Sequence, residues 1–325
     1  MSVEFSVIIP TYNRADLLSF TLDTVLRQTL PAAEVIVVDD GSTDDTGRIA
    51  EEYGNAIRYL QIANGGTPVA RNAGARISTS PWLAFCDSDD LWQPDHLARL
   101  SQVIEATPGL SFAFANFRHV VDDRWQETPK FDLAPGDYWR QLGVAKRQGD
   151  AVIHQPIYPS LLRFQPVFPS CIAISRAHFD RMGGFDPRFA REVSEDLEFT
   201  LRCNREGLPV GVVLDPTVGI RKHAGNISGN AIDCTLGEIR ILRFCRDHHR
   251  PPPAWARLIN DQIALRSTGA IHCAFAAGRP DLVRQLAANI PIARRSWKIW
   301  VKLALASLRR PAAGAVSGSR PPANA

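Results

Sequence analysis

The segment WLAFCDSDD occupies residues 82–90 and places three carboxylates directly after a short apolar run. The apolar run has the length and the composition of a buried β-strand. At its exit, Asp87, Asp89 and Asp90 would repel one another unless a positive charge lies between them. Oxygen ligands bind hard divalent cations, and ligands of open α/β sheets bind beyond the carboxyl ends of the strands. The segment therefore predicts a metal-bound phosphate ligand at a sheet edge.

Strand and helix patterns alternate on both sides of this segment in the first half of the chain. Apolar, β-rich runs predict strands over residues 5–10, 34–38, 57–62 and 82–86. Helical periodicity and end signals predict helices over residues 17–26, 43–53, 68–77 and 94–105. This alternation is typical of βα units and predicts an α/β fold with a largely parallel sheet.

The second half of the chain has weaker periodicity. Strands are predicted over 111–117, 171–175, 210–214 and 218–221, and a helix over 194–206. Residues 122–168 are rich in Pro, Gln and aromatic side chains and predict an irregular cover over a binding site, with a disordered insert as the alternative. From Thr235 onwards the pattern predicts helices, and residues 311–325 have the Pro, Gly, Ala and Ser content of a disordered tail.

Charge is divided unevenly along the 325 residues, whose formal net charge is +3. Residues 1–234 carry 22 Lys and Arg against 30 Asp and Glu, a net −8, whereas residues 235–325 carry 15 against 4, a net +11. This asymmetry predicts an anionic partner surface for the C-terminal part, or docking of that part on the acidic half. The basic residues belong to no nucleic-acid reader motif, so we expect no nucleic-acid partner.

The basic part ends in an amphipathic pattern over residues 292–308, with Val301 and Leu305 departing from it. Basic side chains on one arc and Trp on the other are typical of a helix that lies in a membrane interface. The pattern predicts a peripheral membrane contact through residues 291–310, with packing against the protein's own acidic domain as the alternative.

The overall composition is that of a globular protein, 45% hydrophobic and 22% charged. The six cysteines are dispersed without a C-x-x-C pair, which argues against a zinc ribbon or a redox motif and is typical of a reducing compartment. Neither a basic signal-peptide start nor an apolar run of about 18 residues occurs. We therefore expect a cytoplasmic protein, associated with the cytoplasmic face of a membrane if residues 291–310 bind lipid.

Polar residues also follow the first two predicted strands. Tyr12 can stack on a flat ring and Arg14 can face a phosphate, although a plain strand–helix turn is the alternative. Asp39 and Asp40 can accept hydrogen bonds from a ribose or a base, although helix capping is a common role of such residues. No G-x-G-x-x-G follows the first strand, which counts against a dinucleotide dehydrogenase.

Further candidates lie outside these strand ends. Arg71 can reach an anionic ligand from a predicted helix, in which Gly74 allows a close approach of another segment. Glu195 and Asp196 begin a predicted helix, where a carboxylate can complement the helix dipole or act as general base on a hydroxyl. His223 follows two basic residues and can contact phosphate or metal, with a structural or solvated His as the alternative.

Five blocks of sequence resemble family-two inverting glycosyltransferases, which have the GT-A fold. The blocks are SVIIPTYN at 6–13, VVDDGSTD at 37–44, ARNAG at 70–74, FCDSDD at 85–90 and the pair Glu195-Asp196. Each block is moderately common, but all five in this order and spacing are specific. The resemblance covers residues 5–228 and implies a GT-A fold, a Rossmann-like, mostly parallel sheet flanked by helices, here with a C-terminal helical extension.

The resemblance also implies roles for individual residues. Asp196 would be the catalytic base, Asp87 would face ribose and metal, and Asp89 would bind the metal. His223 would lie near the diphosphate and is a further candidate metal ligand, whereas Asp90 has no implied role. The implied nucleotide-sugar-binding residues are Pro10, Thr11, Tyr12, Arg14, Asp40, Arg71, Asn72, Asp87 and Ser88.

The implied protein is a metal-dependent transferase that uses Mn²⁺ or Mg²⁺. It would move a sugar from a nucleotide diphosphate sugar, by default a UDP-sugar, to a hydroxyl of a sugar or lipid-linked acceptor in bacterial cell-surface polysaccharide or glycolipid synthesis. Residues 1–110 would form the nucleotide-sugar-binding half of the domain, 111–230 its acceptor-binding and catalytic half, and 231–310 the helical extension.

Two alternatives to this function remain at the level of sequence. A nucleotidyltransferase that makes a nucleotide sugar usually has a Gly-rich loop after the first strand, where Pro10–Arg14 contains no glycine. A non-catalytic binding module is the other alternative, and the complete set of motifs argues against it.

Overall fold

A computed structural model of the chain describes residues 3–145, 148–223 and 231–308. The chain divides into two compact units, the first ending at Ile259 and the second beginning at Asn260. The predicted disordered tail, residues 311–325, lies outside the described residues.

The strands of the described residues all belong to one sheet in the first unit. They are β1 (Phe5–Thr11), β2 (Glu34–Asp39), β3 (Arg58–Gln61), β4 (Trp82–Phe85), β5 (Leu91–Trp92), β6 (Phe112–Val121), β7 (Arg124–Trp125), β8 (Asp150–Ile153), β9 (Ile172–Ser175) and β10 (Val210–Lys222).

The α-helices of the described residues run from the first unit into the second. They are α1 (Leu18–Leu26), α2 (Thr46–Glu51), α3 (Thr67–Ile77), α4 (His96–Glu105), α5 (Tyr138–Gln141), α6 (Tyr158–Arg163), α7 (Arg176–Met182), α8 (Glu195–Cys203), α9 (Ala231–His248), α10 (Pro253–Ala276), α11 (Pro280–Ala288) and α12 (Trp297–Leu308).

The sheet has the strand order β3-β2-β1-β4-β9-β6-β10-β5, with β7 paired to β6 and β8 to β10. Parallel pairing joins β3, β2, β1 and β4, and likewise β6 and β10. Because β9 is antiparallel to both β4 and β6, these two groups point the same way. The predicted α/β fold with a mostly parallel sheet and C-terminal helices is therefore confirmed.

The core of the first unit explains why these segments form strands and packed helices. Every residue of β1 and of β4 is buried, so their continuous apolar runs are covered on both faces. Helix α3 packs closely on β1, because a Cβ added at Gly74 would lie 2.5 Å from Ile8 Cγ2. The close approach predicted for Gly74 is thus made to a strand side chain.

Two predicted elements differ from the structure. The strands expected over 210–214 and 218–221 are one 13-residue strand, β10, whose pairing with β6 shifts register on either side of Pro216. A Pro cannot donate a ladder hydrogen bond, so it produced a break in the sequence pattern that the strand absorbs as an irregularity. The predicted irregular cover, residues 122–168, contains the short elements β7, α5, β8 and α6 between loops.

The second unit, described over residues 260–308, consists of the end of α10 followed by α11 and α12. Helix α12 begins at Trp297, five residues later than the predicted pattern, because a 3₁₀ turn occupies Ile292–Arg294. Ile299 and Ala306 of α12 are buried.

The other side of α12 carries apolar side chains in contact with solvent. The exposed apolar residues are Trp297, Trp300, Val301, Leu305 and Leu308. At 100° per residue they form one stripe, so Val301 and Leu305, which departed from the predicted pattern, belong to a second apolar face. In the described part of the chain, no helix combines the length and the apolar composition that crossing a membrane requires.

Candidate active site

The carboxyl ends of β1, β2, β4, β6 and β10 meet at one edge of the sheet, because these strands run parallel. The strand order changes direction between β1 and β4, which places a crevice beyond their ends. Residues 87–90, the carboxylate segment, follow β4 at this edge. The structure therefore brings together the polar residues that the sequence places after separate strands.

Arg71 joins the carboxylate segment to the start of helix α8. Its Nη2 atom lies 2.7 Å from Asp87 Oδ1, and its Nη1 atom lies 2.9 Å from Glu195 Oε1. The Arg71 side chain is only 2% exposed. Burial lowers its pKa, but the two carboxylates outweigh burial and raise the pKa of Arg71 above its usual value, so the guanidinium stays charged.

Asp196 lies next to this bridge and is buried at the start of α8. Burial, followed by the charge of Glu195, raises the pKa of Asp196 to about 8, and the Arg71 charge opposes the shift. Gln165 Nε2 donates to Asp196 Oδ2 at 3.3 Å. A buried carboxyl with a pKa near neutrality has the proton affinity that a general base for a hydroxyl requires.

Two basic side chains, Arg14 and His223, flank Asp89. Arg14 Nε lies 3.6 Å from Asp89 Oδ2, and His223 Nε2 lies 3.0 Å from the same oxygen. The structure thus brings together two of the three predicted metal ligands, while Asp87 is turned to Arg71. Among the described residues, no group of three or more His, Cys, Asp or Glu side chains is arranged to hold a metal by itself.

Asp90, the residue without an implied role, is buried and ties the carboxylate segment to the sheet. Its Oδ2 accepts a 2.5 Å hydrogen bond from Ser170 Oγ, and its Oδ1 accepts one from the Arg221 N–H at 3.0 Å. Ser170 Oγ also accepts from the Asp87 N–H at 2.9 Å. Burial and the charges of Asp89 and Asp87 raise the pKa of Asp90 well above its usual value. Asp90 therefore positions the segment from inside the protein.

The predicted residues after β1 and β2 lie at the same edge, and Asp40 among them already has protein partners. Asp40 accepts hydrogen bonds from the N–H groups of Gly65 and Gly66 at 2.7 and 2.8 Å. Thr11 is buried, while Tyr12 is 46% exposed and free to stack on a ring. The nucleotide contacts of Pro10, Thr11, Tyr12, Arg14, Asp40 and Ser88 remain predictions.

Asn72 holds the turn that leads towards α8. Its side-chain amide donates to the Phe185 carbonyl at 2.7 Å and accepts from the Phe185 N–H at 2.8 Å. Gly184 has φ +69°, and a Cβ there would lie 2.5 Å from Asn72 Oδ1, so this turn requires glycine. With both amide atoms engaged, the predicted contact of Asn72 with a nucleotide sugar stays a prediction.

A buried network includes the first turns of α8, and no local pattern predicts its long-range members. Glu198 bonds Arg202 Nε at 2.7 Å and His249 Nε2 at 3.0 Å. Burial raises the pKa of Glu198, but Arg202 and His249 outweigh burial and lower it below its usual value. The Glu198–Arg202 spacing is a helical ion-pair signal, whereas the His249 contact joins residues 51 positions apart.

Two residues that position the site have no signal in the sequence. Ser170 and Gln165 lie in segments without periodicity, so nothing marked them as partners of Asp90 and Asp196. Glu195, predicted as a helix-dipole residue or a base, is a partner of Arg71 in the structure.

Comparison with known proteins gives consistent matches. Residues 6–158 match the family model described as glycosyl transferase family 2. Validoxylamine A glucosyltransferase of Streptomyces hygroscopicus subsp. jinggangensis is 32% identical over 268 residues, covering 75% of this chain and 60% of that protein. An uncharacterized glycosyltransferase of Haemophilus influenzae is 34% identical over 209 residues and covers 62% of each chain. The chain spans about 60% of the length of the first of these relatives.

Solved structures show the same fold. The crystal structure of S. aureus TarS 1-349 in complex with UDP-GlcNAc superposes with a TM-score of 0.65 at 19% sequence identity, covering 89% of this chain and 82% of that chain. The likeness confirms the expected GT-A fold.

Proposed function

Since the chain belongs to glycosyltransferase family 2, we propose that it transfers a sugar from a UDP-sugar to an acceptor hydroxyl with inversion at the anomeric carbon. The observation that carries this proposal is the Arg71 bridge, which brings Asp87 and the start of helix α8 to one place. In this proposal Asp87 would bind the donor, and the buried Asp196, next to Glu195, would be the base.

The donor would bind beyond β1, β2 and β4. Tyr12 offers an exposed ring for the base, and Asp40 lies at the end of β2 where a ribose or base N–H can be read. Structures of TarS from S. aureus hold UDP-GlcNAc and UDP, which supports a nucleotide sugar as ligand of this fold. That the nucleotide is a uridine nucleotide is part of the proposal, and the sugar it carries is left to the donor screen below.

The carboxylate segment fits a divalent cation of the Mn²⁺ or Mg²⁺ type. Such ions use one or two carboxylates and complete their coordination with substrate phosphates and water. Asp89 and Asp87 are the carboxylates that would hold the ion, and His223 beside Asp89 is the third candidate. When bound, the ion would supply positive charge that stabilises the diphosphate leaving group.

Asp196 would take the proton from the acceptor hydroxyl as its oxygen attacks the anomeric carbon. The C–O bond to the diphosphate breaks in the same displacement, so one step inverts the configuration. Gln165 would orient the carboxylate, because its amide donates to Asp196 Oδ2. Arg71 keeps a positive charge between Asp87 and Glu195 and limits the pKa rise of Asp196.

A second part of the proposal concerns where the acceptor is met. The exposed stripe of α12 would contact an anionic membrane at its cytoplasmic face, where a lipid-linked acceptor of cell-surface polysaccharide or glycolipid synthesis is available. Residues 282–308 contain no Asp or Glu and five basic residues, and Arg295 lies over the Trp300 ring at 5.1 Å. Exposed Trp beside cationic side chains suits the headgroup region of a bilayer.

The membrane contact can be tested by flotation of the full chain with phosphatidylglycerol-containing vesicles. We expect the protein to float with these vesicles, and the double variant Trp297→Ser, Trp300→Ser to remain in the dense fraction. Leu265→Ser removes an apolar residue of α10 that is also exposed, and serves as matched control. Equal flotation of the double variant and the control would remove α12 from the proposal.

The transfer activity can be tested by a screen of UDP-, GDP- and dTDP-sugars with Mn²⁺, measuring the nucleoside diphosphate that is released when the sugar passes to water or to an added acceptor. Release of UDP from a UDP-sugar that is lost in Asp89→Ala is the expected result. Release of pyrophosphate from a nucleoside triphosphate, without hydrolysis of any nucleotide sugar, would instead indicate a nucleotidyltransferase.

A further inference from the structure

Three basic side chains lie together at the carboxyl ends of β6 and β10, and we name His119, Lys130 and Lys222 the cationic cluster. In the parallel pairing of these strands, Ile220 is opposite His119 and Lys222 is opposite Val121. Lys130 begins the turn Lys130–Leu133, which packs against β6. The cluster therefore draws on three segments that the topology brings to the active-site edge.

Aromatic rings join Lys130 to His119. Lys130 Nζ lies 4.8 Å from the ring centre of Phe164 and 5.9 Å from that of Phe168. The Phe168 ring is 5.0 Å from Phe117, which is 5.4 Å from His119. Rings below a half-buried ammonium group hold it in place without neutralising its charge.

Lys130 and Lys222 are two cations close enough to interact, and His119 lies beside them. Burial and then the Lys222 charge lower the pKa of Lys130, with Glu238 of α9 acting in the opposite direction. Burial and then Lys222 also lower the pKa of His119. In the described ranges, His119 Nδ1 is buried and lacks a hydrogen-bond partner. An arrangement that costs electrostatic free energy without a ligand is relieved by an anion.

The chain segment under Lys130 also supplies a partner of the candidate base, whereas Lys222 faces away from the carboxylate segment. Lys130 Nζ lies 4.8 Å from the ring of Phe164, and the next residue in the chain, Gln165, donates to Asp196. Arg221 donates to the Asp89 carbonyl from β10, so strand alternation directs the neighbouring Lys222 to the other face of the sheet. An anion held here would belong to the molecule that approaches Asp196 rather than to the donor diphosphate.

We propose that His119, Lys130 and Lys222 bind an anionic group of the acceptor, a phosphate or a carboxylate, and so orient its hydroxyl towards Asp196. The proposal rests on the proposed glycosyl transfer, because it names the chemical class of the acceptor for that same site. A phosphate-bearing and a uronic-acid acceptor present the same charge to the cluster, and the experiment distinguishes them.

The experiment titrates anions into protein already saturated with UDP and Mn²⁺, so that the donor site is filled. The probes are glucose 6-phosphate, glycerol 3-phosphate and glucuronate, with glucose and glycerol as neutral counterparts, and binding is followed by calorimetry. We expect at least one anion to bind while its neutral counterpart does not. Lys130→Met and Lys222→Met should each weaken that binding by about tenfold or more, which is a loss of one close charge pair. Arg27→Met, an exposed residue of the region after α1, is the matched control.

Several results would overturn the proposal while leaving the transfer activity intact. If UDP binds but none of the anions does, the cluster is not an acceptor subsite. If the anion binds equally to wild type and to the Lys130→Met, Lys222→Met double variant, it binds elsewhere. If Lys222→Met weakens UDP binding as much as anion binding, the cluster belongs to the donor diphosphate. Failure of UDP itself to bind would contradict the proposed function instead. It is detected separately, when UDP and Mn²⁺ are titrated into the protein before any anion is added.

Discussion

The carboxylate segment and the cationic cluster lie at the same sheet edge and carry charges of opposite sign. The acids of the segment have protein partners, since Asp87 pairs with Arg71 and Asp89 lies beside Arg14 and His223. In the cluster, Lys130 lies over the Phe164 ring, and the charge of Lys222 opposes its own. The acids of the segment therefore have cationic neighbours without any ligand. The positive charge of the cluster would be compensated by the proposed anion.

This difference separates the two substrates of the proposed reaction. The acids of the segment already have cationic partners, so a donor diphosphate there would rely on the charge of the proposed metal ion. A cluster of like charges gains directly from an anion, and so favours acceptors that carry one. The following predictions test whether substitutions can change transfer and donor binding independently of each other.

The largest expected effect comes from Asp196→Asn. We expect transfer to fall by about 10²–10⁴-fold, the usual contribution of a well-placed general base, while UDP affinity is retained. Transfer is measured as product formed with a saturating UDP-sugar, and UDP affinity by calorimetry. Near-wild-type turnover would show that the base is elsewhere, and an equal loss of UDP affinity would show that the two functions are not separable.

The next effect is that of Asp89→Ala on the carboxylate segment. UDP affinity measured with Mn²⁺ should fall by about tenfold or more, which corresponds to about 1.4 kcal/mol. Affinity measured without metal should change little, because the nucleotide then makes no use of this carboxylate. The control is Asp123→Ala, an exposed acid that pairs with Arg221 at 2.6 Å. Unchanged Mn²⁺-dependent affinity in Asp89→Ala would remove Asp89 from the metal site.

The pH dependence of transfer should separate the base from the donor site. Burial holds the pKa of Asp196 near 8, so transfer should increase about tenfold per pH unit below that value and level off above it. The affinity for UDP should not show this increase with pH. Gln165→Leu removes the hydrogen bond to the charged carboxylate and should raise the pKa of Asp196. The increase of transfer with pH should then extend to higher pH. A pH-independent rate between pH 6 and 8 would contradict the assignment.

The smallest expected effect is on stability. The folded state binds the Asp196 proton more tightly than the unfolded chain, because burial raises this pKa from 3.8 to about 8. The contribution of Asp196 to the unfolding free energy of the wild type should therefore decrease as pH rises from about 4 to about 8. Asp196→Asn removes this contribution and should be more stable than the wild type at pH 8 by about 1 kcal/mol or more. Thermal melts at pH 5 and pH 8 measure the difference, and an unchanged gap between the two proteins would contradict it.

The sequence predicted the sheet edge well because local patterns determine it. Apolar strands followed by polar residues placed Asp40 and Asp87 at strand ends, and alternation with helices predicted parallel pairing. The five blocks added the GT-A fold. The antiparallel insertion of β9 between β4 and β6 could not be predicted, since a short apolar run has no direction in its sequence.

The contacts that assemble the site were less accessible to prediction, because they join residues far apart in the chain. Arg71 pairs with Glu195 and Ser170 bonds Asp90 across segments with unrelated patterns. The cationic cluster was not predicted either, since Lys130 lies in the irregular stretch 122–168 and becomes its member only through tertiary packing. Charged residues that are conspicuous in sequence were found readily, whereas their uncharged partners were not.

The buried guanidinium of Arg71 also has a consequence for the synthesis of the chain. Its partner Glu195 is 124 residues further on. At about 5–20 residues per second, a ribosome needs roughly 6–25 s to synthesise that interval. During this time the nascent sheet edge carries an arginine that cannot yet be buried with both of its carboxylates. The N-terminal strands can therefore form early during translation, while the Arg71 bridge closes only after Glu195 has been synthesised.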